Sequence, residues 1–325
     1  DAKKEFKNFV LQGGAGSGKT ESLKQILEYI SDTYPDKKGV CITLTNVAVD
    51  EIKARIGENK NFIVSTIHSF LNELIKDYKK NIHEVIFEIF KVEKIIRKKL
   101  DAGEDEKEYK KNEHEKYKKL YGKYSGKLFT TAGEKTSKVI GKREYDKEPI
   151  KFNDDLNTEA DKLNEKILDI IKSIDYNKIQ YNETRYNKFN ELSFGYAELL
   201  HIASLLFKKH SLLGKIVSDK FDFILIDEYQ DTNEKIVDIF LSSIPKNNKT
   251  TIGFFGDSMQ GIYDNGIGDV EKEINENKLI KIEKEDNFRC SDKVIDFINT
   301  IRTDGLNQEL ALKNIETAED RKGEV

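Results

Sequence analysis

The strongest constraint on this chain is the octapeptide GGAGSGKT at positions 13–20. Glycine inside a helix or strand costs roughly 0.5–1 kcal/mol relative to alanine, so a cluster of four marks backbone that other residues cannot adopt. The apolar run Phe9-Val10-Leu11 precedes it and the helical pattern ESLKQILEYI follows. Strand, glycine turn and helix start, in that order, build a phosphate cradle. Its N–H groups converge and the positive end of the helix favours an anion. The spacing G-x-x-x-x-G-K-[ST] is filled by Gly13, Gly18, Lys19 and Thr20. Gly13, Gly14, Ala15, Gly16, Ser17, Gly18, Lys19 and Thr20 are therefore expected to bind a nucleoside triphosphate. Lys19 would reach the β- and γ-phosphates, and the Thr20 hydroxyl would ligate Mg2+. The bland alternative is a glycine-rich turn beside a solvated lysine.

Apolar runs near 9–11, 40–45, 62–65, 223–226, 250–255 and 279–282 read as strands. Helical patterns follow at 20–30, 47–56, 66–78, 233–243 and 292–301. Strands alternating with helices predict an α/β fold with a parallel sheet and the phosphate site at its carboxyl edge. Between about 79 and 221 the rhythm stops. Charged helical patterns appear at 82–100 and 158–174, then a strand-like pair around 178–186, then apolar periodicity at 196–207. This stretch reads as an inserted, mainly helical subdomain.

Charged residues make up 35% of the chain, and no apolar run approaches the ~20 residues that span a bilayer, so no membrane partner is expected. Cys41 and Cys290 give neither a disulfide framework nor metal-ligand spacing, which suits a cytoplasmic setting. Cys41, inside GVCITLT, reads as a buried thiol. The net charge of −4 does not point to nucleic acid, but residues 91–147 hold 18 Lys and Arg against 11 Asp and Glu. Tyr109, Tyr117, Tyr121 and Tyr124 are interleaved there. They suit either stacking rings on a backbone-tracking surface or rings packed beneath solvated helical faces. The intermixed acids favour the second reading.

The run Phe223-Ile224-Leu225-Ile226 ends in Asp227-Glu228-Tyr229-Gln230-Asp231, a buried strand delivering two carboxylates to its carboxyl edge. Asp227 is placed to hold Mg2+, directly or through water. Glu228 is then the candidate to orient and deprotonate an attacking water. A third apolar strand ends in Gly256-Asp257-Ser258-Met259-Gln260, and the Gln260 amide could sense a γ-phosphate there.

Taken in order, GGAGSGKT, TLTNVAVDEI (43–52), STIHSF (65–70), FILIDEYQD (223–231), GDSMQGIY (256–263) and DNFRC (286–290) resemble the motifs of UvrD/Rep-like superfamily 1A helicases. The resemblance implies a P-loop NTPase with a RecA-like parallel sheet, coupling ATP hydrolysis to 3′→5′ movement on single-stranded or partly duplex DNA. It implies that Lys19, Glu228, Gln260 and Arg289 are catalytic. Gln260 would couple nucleotide state to domain closure, and Arg289 would reach the γ-phosphate. Such an arginine is worth about 10³–10⁵ in rate in related NTPases. Phe288 would stack on adenine. Thr45, Asn46, Thr66, His68, Ser69 and Tyr263 match DNA-side positions.

The implied organisation is a first motor domain over 1–78 and 222–284, an insert over 79–221, and the beginning of a second motor domain over 285–325. The chain is thus expected to be part of a longer motor, and to bind ATP while hydrolysing it poorly. Leu44 stands where the family carries an aromatic, and Asp264-Asn265-Gly266-Ile267-Gly268 replaces the aromatic and arginine expected after Tyr263. These departures leave room for a second reading, an ATP- and DNA-binding regulatory or sensor subunit of a larger DNA-processing or nuclease complex. A small-molecule P-loop kinase would not need the sequence from Glu228 to Asp231.

Overall fold

The structure is a computed structural model and describes residues 7–57, 61–96, 105–184, 187–245, 250–261 and 266–311. Three strands, β1 (Phe9–Gly13), β2 (Gly39–Thr43) and β3 (Phe62–Thr66), are each followed by a helix: α1 (Lys19–Thr33), α2 (Asn46–Ile56) and α3 (Ile67–Ile75). The chain then runs through α4 (Lys79–Phe90), α5 (Glu106–Ala132), α6 (Lys142–Tyr145) and α7 (Pro149–Ser173) to the short strands β4 (Gln180–Tyr181) and β5 (Ser193–Phe194). Helices α8 (Tyr196–Lys209) and α9 (Ser211–Lys220) lead to β6 (Phe223–Asp227), α10 (Glu234–Ser243) and β7 (Thr251–Gly256). The last elements are α11 (Glu271–Asn275), β8 (Ile280–Lys284), β9 (Asp286–Asn287), α12 (Asp292–Ile301) and β10 (Glu309–Leu310). They form two compact units, Asp1–Leu74 with Phe207–Val325, and Ile75–Leu206.

The first unit is built on a six-stranded sheet in the order β3-β2-β6-β7-β1-β8, parallel throughout. This is the α/β architecture, a parallel sheet flanked by helices, that the strand–helix alternation predicts. A sheet covered on both faces needs strands without a polar side. The interior strands β2, β6 and β7 are accordingly buried at every position, whereas every position of edge strand β8 is half-buried or exposed. Leu23, Leu27 and Ile30 of α1, with Val49 and Ile52 of α2, pack on Cys41, Val64, Leu225 and Phe255. Phe70 meets the rings of Phe221 and Phe240 at 5.6 and 6.2 Å. Cys41 is a buried free thiol.

The second unit is mainly helical. Tyr117 and Tyr124 of α5 belong to its core, and Tyr117 lies 5.0 Å from the ring of Tyr145. Those two rings therefore pack inward, as the intermixed acids suggest. The helical pattern at 82–100 stops at Phe90. There Asn164 exchanges hydrogen bonds with the N–H and C=O of Val92 (2.7 and 3.0 Å) and Asn157 with those of Ile95 (2.8 and 3.3 Å). These side chains of α7 satisfy the backbone in place of helical partners; residues 97–100 lie outside the described residues. The pattern at 66–78 is likewise shorter, α3 ending at Ile75. Of the strand-like pair expected around 178–186, β4 is present, and it pairs with β5 at Ser193–Phe194 rather than within that stretch.

Candidate nucleotide site

The turn after β1 takes its shape from two left-handed glycines, Gly16 at φ 83° and Gly18 at φ 75°. Gly18 caps α1 without a side-chain hydrogen bond, so the helix start is left open to a ligand. Lys19 folds back over the turn, its Nζ donating to the carbonyls of Gly13 (2.9 Å) and Gly14 (3.4 Å). Ser17 is fully buried, and its hydroxyl has no hydrogen-bond partner among the described residues.

The acidic tip lies two strands away. Asp227 ends β6 at 6% exposure, while Glu228 adopts a left-handed backbone at φ 52°. Burial, and next the neighbouring charge of Glu228, push the Asp227 carboxyl up to about 7, with Lys19 working in the opposite direction. Gln230 donates from Nε2 to Glu228 Oε2 (2.7 Å) and accepts the Asp257 N–H on Oε1 (3.0 Å). The β6 tip is thereby joined to the β7 tip. Gln260 then donates from Nε2 to Asp257 Oδ2 at 2.8 Å.

Lys19, Thr20, Glu228, Gln260, Phe288 and Arg289 line one cleft of about 690 Å3, together with Ala15, Gly16 and Gly18. Gly13, Gly14, Ser17 and Asp227 are buried and do not line it. Asn287, fully buried, draws the last two lining side chains to the turn. Its Nδ2 donates to Ala15 O (2.9 Å), its Oδ1 accepts from the N–H groups of Arg289 and Cys290 (2.9 Å each), and Phe288 N donates to Gly16 O (2.9 Å). A Cβ at Gly16 would come within 2.7 Å of Asn287 Oδ1, so glycine also makes room for this approach. Asn287 was missed by the sequence reading, although its place inside DNFRC marked it for inspection. Glu51 and Arg55, an i,i+4 ion pair on α2, also line the cleft and were missed.

The residues fit a magnesium triphosphate in donor chemistry. Mg2+ takes hard oxygen ligands, commonly one or two from protein with the rest from phosphates and water. Thr20 supplies a hydroxyl and Asp227 a buried carboxylate, both hard oxygen donors. Among the described residues no group of three or more His, Cys, Asp or Glu is placed to hold a metal.

The DNA-side candidates lie at the same sheet edge but on the β2–β3 side. Thr45 and Asn46 are exposed after β2, with Thr45 accepting the Ala48 N–H at 3.2 Å to cap α2. The adjacent β3 ends in Thr66, which donates to Ser69 Oγ (3.0 Å) and accepts the Ser69 N–H (3.2 Å). His68 is half-buried, and burial lowers its affinity for a proton. None of these five lines the nucleotide cleft. Tyr263 lies outside the described residues.

The family model described as UvrD/REP helicase N-terminal domain matches residues 2–281. The chain is similar to the Gabija protein GajB of Bacillus cereus (strain HuB5-5), 33% identical over 92% of this chain and 47% of that protein. It is also similar to the ATP-dependent DNA helicase Rep of Buchnera aphidicola subsp. Schizaphis graminum (strain Sg), 24% identical over 92% of this chain and 42% of the relative. A shorter likeness reaches the exonuclease/helicase subunit RexA of Lactococcus lactis subsp. cremoris (strain MG1363), 28% identical over 35% of this chain and 10% of that protein. The chain thus spans less than half the length of these curated relatives.

Proposed function

Because the chain belongs to the UvrD/REP helicase family, we propose that it is the nucleotide-binding part of an ATP-dependent DNA helicase that moves 3′→5′ on single-stranded DNA. The supporting observation is the meeting of Lys19, Thr20, Glu228, Gln260 and Arg289 around one cleft, although more than two hundred positions separate the first from the last. The open start of α1 and the N–H groups of residues 14–18 receive the phosphates. Lys19 leaves the Gly13 and Gly14 carbonyls to pair with the β- and γ-phosphates. Thr20 and Asp227 would hold Mg2+, which would supply positive charge to the phosphate oxygens. Glu228, held by Gln230, takes the proton of the attacking water. Arg289 donates to the γ-phosphoryl oxygens, and Phe288 offers a ring to the base.

DNA is placed across Thr45, Asn46, Thr66, His68 and Ser69. Hydroxyl and amide groups there suit contacts to sugar and phosphate. A neutral His68 adds a ring and a hydrogen bond without a charge. The relative whose name joins an exonuclease to a helicase supports a nuclease or other DNA-processing partner.

The test is ATP turnover by the full protein with and without single-stranded DNA, for wild type and Glu228→Gln. Turnover is expected to fall by about 100-fold or more in the variant, while nucleotide affinity stays within a few-fold. Unchanged turnover would remove Glu228 as the base. A wild type without ATPase activity would remove the reading altogether.

A further inference from the structure

A buried arginine outside the cleft is wired to its glutamine. Arg302 follows α12, and its side chain is 5% exposed. Its guanidinium forks onto Asp257, Nη2 to Oδ1 at 2.8 Å and Nη1 to Oδ2 at 3.2 Å. It also holds Asp304, Nε to Oδ1 at 3.0 Å and Nη2 to Oδ2 at 2.6 Å. Asp304 in turn accepts from Ser258 Oγ (3.0 Å) and Gln12 Nε2 (2.9 Å), and Gln12 also donates to Ser258 Oγ (2.7 Å). One guanidinium therefore joins the tip of β7, the loop beyond α12, and the residue before the phosphate turn. Burial favours the neutral form of Asp304, yet the Arg302 hydrogen bonds hold its carboxyl below the ordinary range.

The chemistry at Gln260 follows from this fork. Both oxygens of the Asp257 carboxylate are acceptors, so the Gln260 amide must turn its NH2 toward Asp257. Its carbonyl oxygen and remaining N–H are then the groups left for the cleft. If the carboxylate tilts, the amide loses its fixed acceptor and can turn over. Four N–H donors of Arg302 are anchored on Asp257 and Asp304, and the planar fork of arginine is what a lysine cannot reproduce.

We propose that Arg302 is a positioning residue for Gln260: by fixing the Asp257 carboxylate it sets which face of the Gln260 amide meets the triphosphate, and it ties that orientation to Gln12 at the root of the phosphate turn. The proposal rests on the reading of the cleft as an ATP-hydrolysing site.

The test is a double-mutant cycle in the full protein, measuring DNA-stimulated ATP turnover and nucleotide affinity for wild type, Arg302→Lys, Gln260→Ala and the double variant. Arg302→Lys is expected to lower kcat about 10-fold with nucleotide affinity within about 3-fold, and to change kcat by less than about 2-fold when Gln260 is already alanine. An equal loss in both backgrounds overturns the proposal, as does wild-type turnover in Arg302→Lys. Should the lysine variant fail to fold, Arg302→Gln combined with Asp257→Asn removes the most deeply buried charge pair together and leaves the Asp304 carboxylate its hydrogen bonds from Ser258 and Gln12. Wild-type kcat in that folded pair also overturns the proposal, and a loss that vanishes with Gln260→Ala supports it. A wild type that hydrolyses no ATP overturns the underlying reading. An active wild type with independent substitutions overturns the role of Arg302 alone.

Discussion

Glu228 holds φ 52° and ψ 49°, a left-handed backbone that costs a non-glycine residue roughly 1–2 kcal/mol. The turn is held by the hydrogen bond from Asp231 N to Glu228 O at 3.1 Å and by the Gln230 amide on the side chain. Strain kept in place this way brings the carboxylate to the cleft wall, while Asp227, one residue earlier, stays buried. His68 lends itself to a simpler measurement. Burial holds its imidazole below the ordinary value of about 6.5, so the unfolded chain takes up a proton at a pH where the folded chain does not. Its contribution to stability is present above about pH 6.5 and is lost as the pH falls toward the folded value. Urea midpoints between about pH 7 and 5 should therefore fall less steeply for His68→Gln than for wild type. Equal slopes would count against a burial-shifted histidine.

At the level of elements, α1 connects the phosphate turn to the core. Leu27 is fully buried against the sheet, so Leu27→Ala should cost about 2–5 kcal/mol in chemical unfolding. A loss under about 1 kcal/mol would mean that α1 packs more loosely than this burial implies. Such elements were legible because their signals are local. FILID reads as an interior strand from five consecutive letters, and GGAGSGKT carries its own turn geometry. The end of α4 was not legible, since Asn157 and Asn164 that satisfy residues 92 and 95 lie over sixty positions later. Arg302 was hidden for the same reason. Nothing beside it in the sequence names Asp257, forty-five positions earlier, as its partner.

At the level of the whole molecule, each compact unit has a core of its own, so calorimetry should resolve two transitions. A non-hydrolysable ATP analogue at 100 times its Kd should stabilise the unit containing the sheet by about 2.7 kcal/mol and leave the helical unit where it is. Equal shifts in both transitions would contradict nucleotide binding confined to the sheet unit. The sheet has a further consequence through its pairing. Gln12 stands opposite Gly256 and Asp227 opposite Phe255, so the three tips share one register. A slip of a single residue in β6 would turn every side chain of that strand to the opposite layer and carry its carboxylate away from the lysine. Strand register is therefore all-or-none: a destabilising substitution far from the cleft should lower the number of correctly paired copies while leaving the cleft of each remaining one unchanged.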